Sequence, residues 1–228
     1  MQDRTPTPFP MPTAYLTVDD APSAELPRKL AVLEARDVPA LFFCEGRRLA
    51  EHPDHARRAV EAGFHLGNHT YAHRRASDLS VEEFRDELDR TESLLDDVYD
   101  RASATRPARV FRFPYGDTGG DRGERFQRML ADGGFVPPDL TRIGDDRYRE
   151  RRGDDRDWYW TVDVEDWTAD SASELRDRVE AAADRLKDAS NDIVLFHDSG
   201  NTIEQFEAFV DQFLENGVAF ADPLDLVD

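Results

Sequence analysis

Two histidines that stand four residues apart, His69 and His73, are the clearest candidates for metal chemistry in this chain. This spacing lets one helical turn or a tight helical loop aim both imidazoles at one point, which is a common start of a divalent metal site. A third ligand is needed, and Asp19-Asp20 supplies a candidate because it ends the β-like run 15–18. Two imidazoles and one carboxylate form a hydrolytic type of metal site that leaves room for water.

Short apolar segments alternate with amphipathic segments along the chain, which predicts a parallel sheet. Strands are expected at 14–18, 40–44, 64–66, 110–113, 159–164, 192–196 and 218–220. Helices are expected at 24–36, 54–62, 81–99, 122–132, 171–187 and 202–216, and a loop-rich insertion after residue 132. Ser80-Val81-Glu82-Glu83 is a capping box, which predicts Ser80 as the N-cap of the third of these helices. The prediction is therefore an α/β fold with about seven parallel strands, closed or nearly closed into a barrel.

The polar clusters of the chain all follow predicted strands. They are Asp19-Asp20, His69 with His73, the segment 112–116, the segment 163–167, and His197-Asp198. In a barrel they converge on the carboxyl ends of the strands, where barrel enzymes place their active sites. Without that fold each has an ordinary interpretation, such as a helix N-cap, a surface cation, an acidic loop or a polar strand end.

The charge balance excludes some partners. A net charge of −20, from 49 acidic and 29 basic side chains, repels phosphate and argues against a nucleic-acid ligand. Lys29 and Lys187 are the only lysines. An Asp-rich, Lys-poor surface is typical of proteins from a high-salt cytoplasm, where salt screens self-repulsion.

Length and apolar content set further expectations. The 228 residues suit a short arm, 1–13, followed by one domain, 14–228. No apolar run is long enough for a membrane span, and no basic and apolar leader opens the chain, so a cytoplasmic location is expected. Cys44, the only cysteine, lies in an apolar run and is expected to be a buried strand residue. Nothing in the pattern indicates an oligomeric state.

Five motifs, read in order, resemble the polysaccharide deacetylases of the NodB-homology type, carbohydrate esterase family 4. They are Thr17-Val18-Asp19-Asp20, His69-Thr70-Tyr71-Ala72-His73, Arg112-Phe113-Pro114-Tyr115-Gly116, Asp163-Val164-Glu165-Asp166-Trp167 and Ile193-Val194-Leu195-Phe196-His197-Asp198. The resemblance runs from about residue 14 to 222. Val18 stands where the family usually has Phe, Phe64-His65 replaces the usual His-Glu, and the segment between the third and fourth motifs looks longer.

The resemblance implies a distorted (β/α) barrel with one bound divalent metal ion. The ion is usually zinc, with Co²⁺, Ni²⁺ or Mn²⁺ as alternatives, and Asp20, His69 and His73 would be its ligands. The metal would polarise the acetyl carbonyl and hold the attacking water. Adjacent side chains of a strand point in opposite directions, and only a loop bend brings both aspartates near the metal, so they cannot serve as twin ligands. Asp20 would bind the metal, and Asp19 would stay free as the general base.

The resemblance also implies roles for the other motif residues. Arg112 would hold Asp19 as a bidentate cation holds a carboxylate. His197 would protonate the departing amine, with Asp166 positioning its ring. The backbone N–H of Tyr115 would help to stabilise the oxyanion. Trp167 and Leu195 would form the walls of the acetyl pocket, and Asp163 and Asp198 would belong to the supporting network.

The leading interpretation is a metal-dependent hydrolase that removes N-acetyl groups from a sugar or polysaccharide. It would cleave a carbon–nitrogen bond that is not a peptide bond. A second interpretation keeps this chemistry on a small non-polysaccharide amide, formamide or cyclic imide, which the missing secretion signal favours. A third is a metal-free glycan-binding module with an inactive site.

Overall fold

The computed structural model describes residues 12–183, 186 and 191–227. Within them six strands and eight α-helices alternate along the chain. The strands β1 to β6 are Thr13–Ala21, Ala40–Cys44, His65–Asn68, Val162–Asp163, Asn191–His197 and Ala219–Phe220. The helices α1 to α8 are Leu26–Ala35, Gly46–Glu51, Pro53–Glu61, Val81–Arg101, Gly123–Asp132, Asp146–Arg152, Ala172–Ala183 and Ile203–Glu215.

The predicted α/β fold is confirmed, because every strand pairing is parallel. The strands follow the order β3-β2-β1-β5-β4, and β6 pairs with the first two residues of β1. Most of the predicted arm 1–13, and residues 184, 185 and 187 of the predicted helix 171–187, lie outside the described residues. The short helices α2 and α6 were not predicted.

The segment 110–113, one of the seven predicted strands, does not form a regular strand, and six strands are present among the described residues. Its backbone extends the sheet beyond β3, since Asn68 N–H donates to Val110 O at 2.9 Å. On its other side Trp158 N–H donates to Phe111 O at 2.7 Å, and Thr161 N–H then donates to Ile193 O in β5 at 2.9 Å. Isolated backbone hydrogen bonds, and not a continuous ladder, join the segment 110–113 to its neighbours, so the sheet closes as a distorted barrel.

Side chains alternate between the barrel interior and the helices outside it, as a strand period of two requires. In β1, Tyr15 belongs to the inner apolar cluster, whereas Leu16 and Val18 belong to the outer cluster under the helices. The same alternation places Ile193 inside and Val194 outside in β5. Asp19 and His197 continue the inner faces of the two strands, and they are register partners.

Helix α4 shows how local sequence signals fix one element. Ser80 is its N-cap, and the predicted capping box with Glu83 is present, with Glu83 N–H donating to Ser80 Oγ and Ser80 N–H to Glu83 Oε2. Phe84 in its first turn packs on Phe111 and Phe126, so the helix covers the segment that extends the sheet. None of the described helices combines the length and apolar character needed to cross a membrane.

Candidate active site

The end of β1 presents two adjacent carboxylates to the same cleft. Strand alternation points Asp19 inward and would point Asp20 outward. The register with β2 runs from Val18 opposite Phe42 to Ala21 opposite Cys44, so β1 has one extra residue, a β-bulge. Asp20 accordingly has a left-handed φ of 60°. The bulge turns its carboxylate back toward the cleft beside that of Asp19.

The two motif histidines lie on the loop after β3, and the expected helical turn between them is wrong. Thr70 and His73 have left-handed φ values of 64° and 54°, which no helix accommodates. Two N–H groups of this loop donate to Glu87 Oε2 in α4, at 2.8 and 2.6 Å. Gly46 N–H also donates to Thr70 O at 2.9 Å. The imidazoles therefore converge because neighbouring elements hold a strained loop.

The three candidate ligands fit a metal ion. Ligand atoms of Asp20, His69 and His73 lie within 4.8 Å of one another. His73 Nε2 is 3.2 Å and His69 Nε2 is 3.7 Å from Asp20 Oδ1. Tetrahedral bonds of about 2.1 Å separate ligand atoms by about 3.4 Å, which matches these distances. Asp20 Oδ1 is buried and makes no properly angled hydrogen bond to the described residues.

The protonation of His69 also suits a ligand. Its Nδ1 lies 2.8 Å from Arg112 O, and a carbonyl oxygen can only accept, so Nδ1 carries the hydrogen. Burial lowers the pKa of His69, against the opposing charge of Asp19, and keeps the ring neutral. The lone pair of Nε2 then points toward the carboxylates. This is the arrangement of an imidazole whose second nitrogen is held by a backbone carbonyl.

Asp19 is held by a buried arginine through one nitrogen. Arg112 is 0% exposed, and its Nη1 donates to Asp19 Oδ1 at 2.8 Å and to Thr17 Oγ1 at 2.9 Å. Its Nε donates to Trp158 O at 3.3 Å, and its guanidinium lies over the ring of Phe43. The predicted bidentate pairing is therefore wrong, because only Nη1 bonds Asp19, while Nε donates to Trp158 O and Nη2 has no hydrogen-bond partner among the described residues. The second oxygen of Asp19 remains available toward the cleft.

His197 and Asp166 form the second ionisable pair. His197 Nδ1 donates to Asp166 Oδ1 at 2.9 Å, and Asp166 Oδ2 accepts from Asn201 Nδ2 at 2.6 Å. Burial alone would lower the pKa of His197, but the hydrogen bond and charge of Asp166, with the charges of Asp19 and Asp20, raise it to about 9. The ring is therefore a cation at neutral pH.

These groups surround one cleft of about 620 Å³. Its lining residues are Asp19, Asp20, His69, His73, Arg75, Tyr115, Trp160, Trp167, Leu195, His197, Ser199 and Gly200. Tyr115 and Trp167 are 55% and 52% exposed and stand at its rim. Their rings lie 4.6 Å from the His73 ring and 4.9 Å from the His197 ring, measured between centroids. An apolar rim around charged groups is typical of a small-molecule or glycan site.

The two supporting carboxylates do not line the cleft. Asp163 Oδ1 accepts the N–H of Glu165 at 2.8 Å, which shapes the turn before Asp166. Asp198 points away from the cleft and pairs with Lys29 Nζ at 2.9 Å, and both side chains are 0% exposed. Neither carboxylate touches the ring of His197.

Several residues of the site were missed by sequence reasoning. Asn201 holds Asp166 and follows His197 by four residues, a spacing that offers a weak signal. Lys29 carried a clearer signal, because a lysine is rare in a chain whose cations are otherwise arginines. Arg75 and Trp160 line the cleft and have no local pattern that distinguishes them from surface residues.

Two imidazoles and a carboxylate converge at the strand ends of this α/β barrel, beside a separate carboxylate and an imidazolium. This arrangement is typical of hydrolases. A family model for polysaccharide deacetylases matches residues 7–130, more than half of the chain. The chain belongs to the polysaccharide deacetylase family.

Individual relatives agree with this assignment. A peptidoglycan-N-acetylglucosamine deacetylase from Bacillus cereus is 32% identical over 111 residues, which cover 48% of this chain and 38% of that protein. A putative polysaccharide deacetylase of Bacillus subtilis is 25% identical over 210 residues, 91% of this chain and 66% of that one. The chain thus spans less than two thirds of the length of either relative.

A solved structure shows the same fold. A carbohydrate esterase family 4 pseudoenzyme from Bacillus anthracis superposes with a TM-score of 0.70 at 26% identity, covering 96% of this chain and 66% of that one. The family therefore includes members described as pseudoenzymes.

Proposed function

We propose that this protein is a metal-dependent hydrolase that removes N-acetyl groups from an N-acetylated sugar or polysaccharide. The observation that carries the proposal is the convergence of Asp20, His69 and His73 on one cleft that also holds Asp19 and His197. Separate ligands, base and acid are what metal-assisted amide hydrolysis requires. The family membership supports the same chemistry.

Asp20, His69 and His73 would hold one divalent ion, which supplies a Lewis acid to polarise the acetyl carbonyl and acidify a bound water. Two imidazole nitrogens and one carboxylate oxygen suit Zn²⁺, and the same donor set also accepts Co²⁺, Ni²⁺ or Mn²⁺. The unbonded Oδ1 of Asp20 between two imidazoles is the feature that favours a cation.

Asp19 acts as the general base. Its Oδ1 is anchored by Arg112, and its Oδ2 lies 3.6 Å from His69 Nε2, on the side of the candidate ligands. This oxygen takes one proton from the attacking water. The hydroxide equivalent adds to the acetyl carbon, and the backbone N–H of Tyr115 is the proposed donor to the developing oxyanion.

His197 acts as the general acid. Its cationic ring gives a proton to the amide nitrogen as the carbon–nitrogen bond breaks, so acetate and the free amine of the sugar leave. Asp166 orients the ring and favours its charged form through the Nδ1 bond. Leu195 and Trp167 line the cleft beside His197 and are proposed to enclose the acetyl methyl group.

Release of acetate or formate from a substrate panel tests this proposal. The panel contains N-acetylated oligosaccharides, small non-sugar acetamides, formamides and cyclic imides, and the protein is loaded with Zn²⁺ or Co²⁺. Acetate from the oligosaccharides alone is the expected result, and Asp19→Asn is the inactive control. Preference for the small amides would mean that the protein performs the same chemistry on another class of substrate. Glycan binding without turnover would identify an inactive module like the Bacillus anthracis pseudoenzyme.

A further inference from the structure

One cation lies in the cleft without a role in the proposed chemistry. Arg75 lines the cleft, and its guanidinium carbon lies 4.3 Å from the centroid of the Tyr115 ring. The Tyr115 ring also lies 4.6 Å from the ring of His73, measured between centroids. The same aromatic ring therefore contacts both the guanidinium of Arg75 and a candidate metal ligand.

Arg75 has no carboxylate partner among the described residues. Its neighbour Arg74 donates to Glu83 Oε1 at 3.0 Å, the usual arrangement in a chain with a large excess of acidic groups. Asp117 carries charge near Arg75, yet its two oxygens accept from Ser77 and from Gly119 N–H instead. Other exposed arginines of the described residues, such as Arg58 and Arg125, also lack an ion pair, but among them Arg75 is the one that lines the cleft.

The backbone of Arg75 is fixed by a hydrogen bond, whereas the residue is exposed to solvent. Its carbonyl accepts the N–H of Asp78 at 3.0 Å, closing a short 3₁₀ turn over Ala76–Asp78. Stacking on Tyr115 restricts the side chain and leaves the edge donors of the guanidinium unused. A planar guanidinium with a preset orientation is suited to bidentate binding of a carboxylate.

The electrostatics of the cleft supply a reason for such a cation. Arg112 and the proposed metal ion offset Asp19 and Asp20 at the floor of the cleft, whereas the surrounding surface is strongly acidic, so Arg75 supplies the positive charge that an anionic glycan meets at the edge of the cleft. A neutral glycan would gain nothing from this charge.

We propose that Arg75 forms an anion subsite of this cleft, which receives a carboxylate carried by the N-acetylated sugar chain. The inference rests on the proposed deacetylase function and narrows its substrate to an acidic glycan. The carboxylate lies on a sugar close to the acetamido group, because the Tyr115 ring contacts both Arg75 and the candidate ligand His73.

The test compares kcat/KM of the metal-loaded protein on matched oligosaccharides. One contains N-acetylglucosamine only, one alternates it with glucuronate, and one carries sulfate. Wild type is expected to prefer the glucuronate oligosaccharide. In Arg75→Gln the ratio of carboxylate to neutral substrate should fall about three- to tenfold, the range expected for a partly exposed charge-assisted contact. Arg75→Lys should retain part of the ratio, and molar salt should reduce it in wild type.

Arg74→Gln is the matched control, because it removes the same charge one residue away from a side chain that pairs with Glu83. An equal fall of the ratio in this variant, or no fall in Arg75→Gln, would overturn the subsite. Equal preference for the sulfated substrate would overturn its assignment to carboxylate. If wild type hydrolyses none of the three, the deacetylase proposal fails, and calorimetric binding of the same oligosaccharides to wild type and Arg75→Gln still decides the subsite.

Discussion

Arg112 Nη1 lies 2.8 Å from Asp19 Oδ1, and the two side chains are 0% and 4% exposed. A charge buried to this degree depends on its partner, because removing one member leaves the other uncompensated. The same arginine bonds Thr17 and the carbonyl of Trp158, so it joins β1 to the segment that closes the barrel. The pair thus links the stability of the fold to the position of the proposed base.

We expect Arg112→Met to lower the free energy of unfolding by about 3–5 kcal/mol, the usual effect of breaking a buried pair. Denaturant unfolding checks this value. The double variant Arg112→Met with Asp19→Asn is the control, and it should recover a part of the loss because neither of the two positions then carries an unpaired buried charge. A double variant less stable than Arg112→Met would show that packing against Phe43, and not charge, determines the effect.

The adjacent aspartates are expected to differ in role. Asp19→Asn should bind metal normally and lose about two to four orders of magnitude in turnover, because it removes only the basic oxygen. Asp20→Asn should lose metal as well, since it alters a ligand. Metal analysis and single-substrate kinetics on both variants check the assignment. A metal-free Asp19→Asn protein would mean that the two roles are exchanged.

His69→Ala and His73→Ala should each release the metal and abolish activity, because too few ligands remain for tight binding. The measurement is elemental analysis after dialysis. His65→Ala is the matched control, since His65 begins the strand that precedes the histidine loop and its ring faces Asp222, 3.5 Å away. Full metal occupancy in either ligand variant would contradict the site.

The pH dependence of turnover should reflect the His197 cation. With a pKa raised to about 9, the acid form is present at neutral pH, and the rate should fall as the pH rises through that value. Asp166→Asn removes the largest raising influence while burial still lowers the pKa, so the alkaline limb should move to lower pH. A pH–rate profile of the wild type and of this variant checks the shift. An unmoved limb in Asp166→Asn would place the acid elsewhere.

The fold is expected to be more stable in molar salt than in dilute buffer. Salt screens the repulsion among 49 acidic side chains that 29 basic ones offset only in part. Thermal unfolding at several chloride concentrations measures the effect. Sodium sulfate and sodium chloride at equal ionic strength separate screening from salting-out, and a melting temperature that ignores ionic strength would refute the interpretation.

Much of the fold follows from local sequence patterns. Alternation of short apolar runs with amphipathic segments predicted the parallel α/β sheet, and the capping box at Ser80 predicted the start of α4. These signals are reliable because strand alternation and helix capping each involve residues only a few positions apart. The same reasoning placed the polar clusters after strands, which was sufficient to bring the candidate site residues to one face.

The sequence alone determined which residue types reach the carboxyl ends of the strands. Only the tertiary structure decided their orientation. The bulge that turns Asp20 inward depends on the register with β2, and the left-handed residues of the histidine loop depend on contacts with Glu87. Isolated bridges replace the predicted strand at 110–113, because its pairing depends on neighbours that are distant in the chain. The position of the Arg75 guanidinium over Tyr115 has no signal in the local sequence. Register, loop strain and charge pairing join residues distant in the chain, so no local period encodes them.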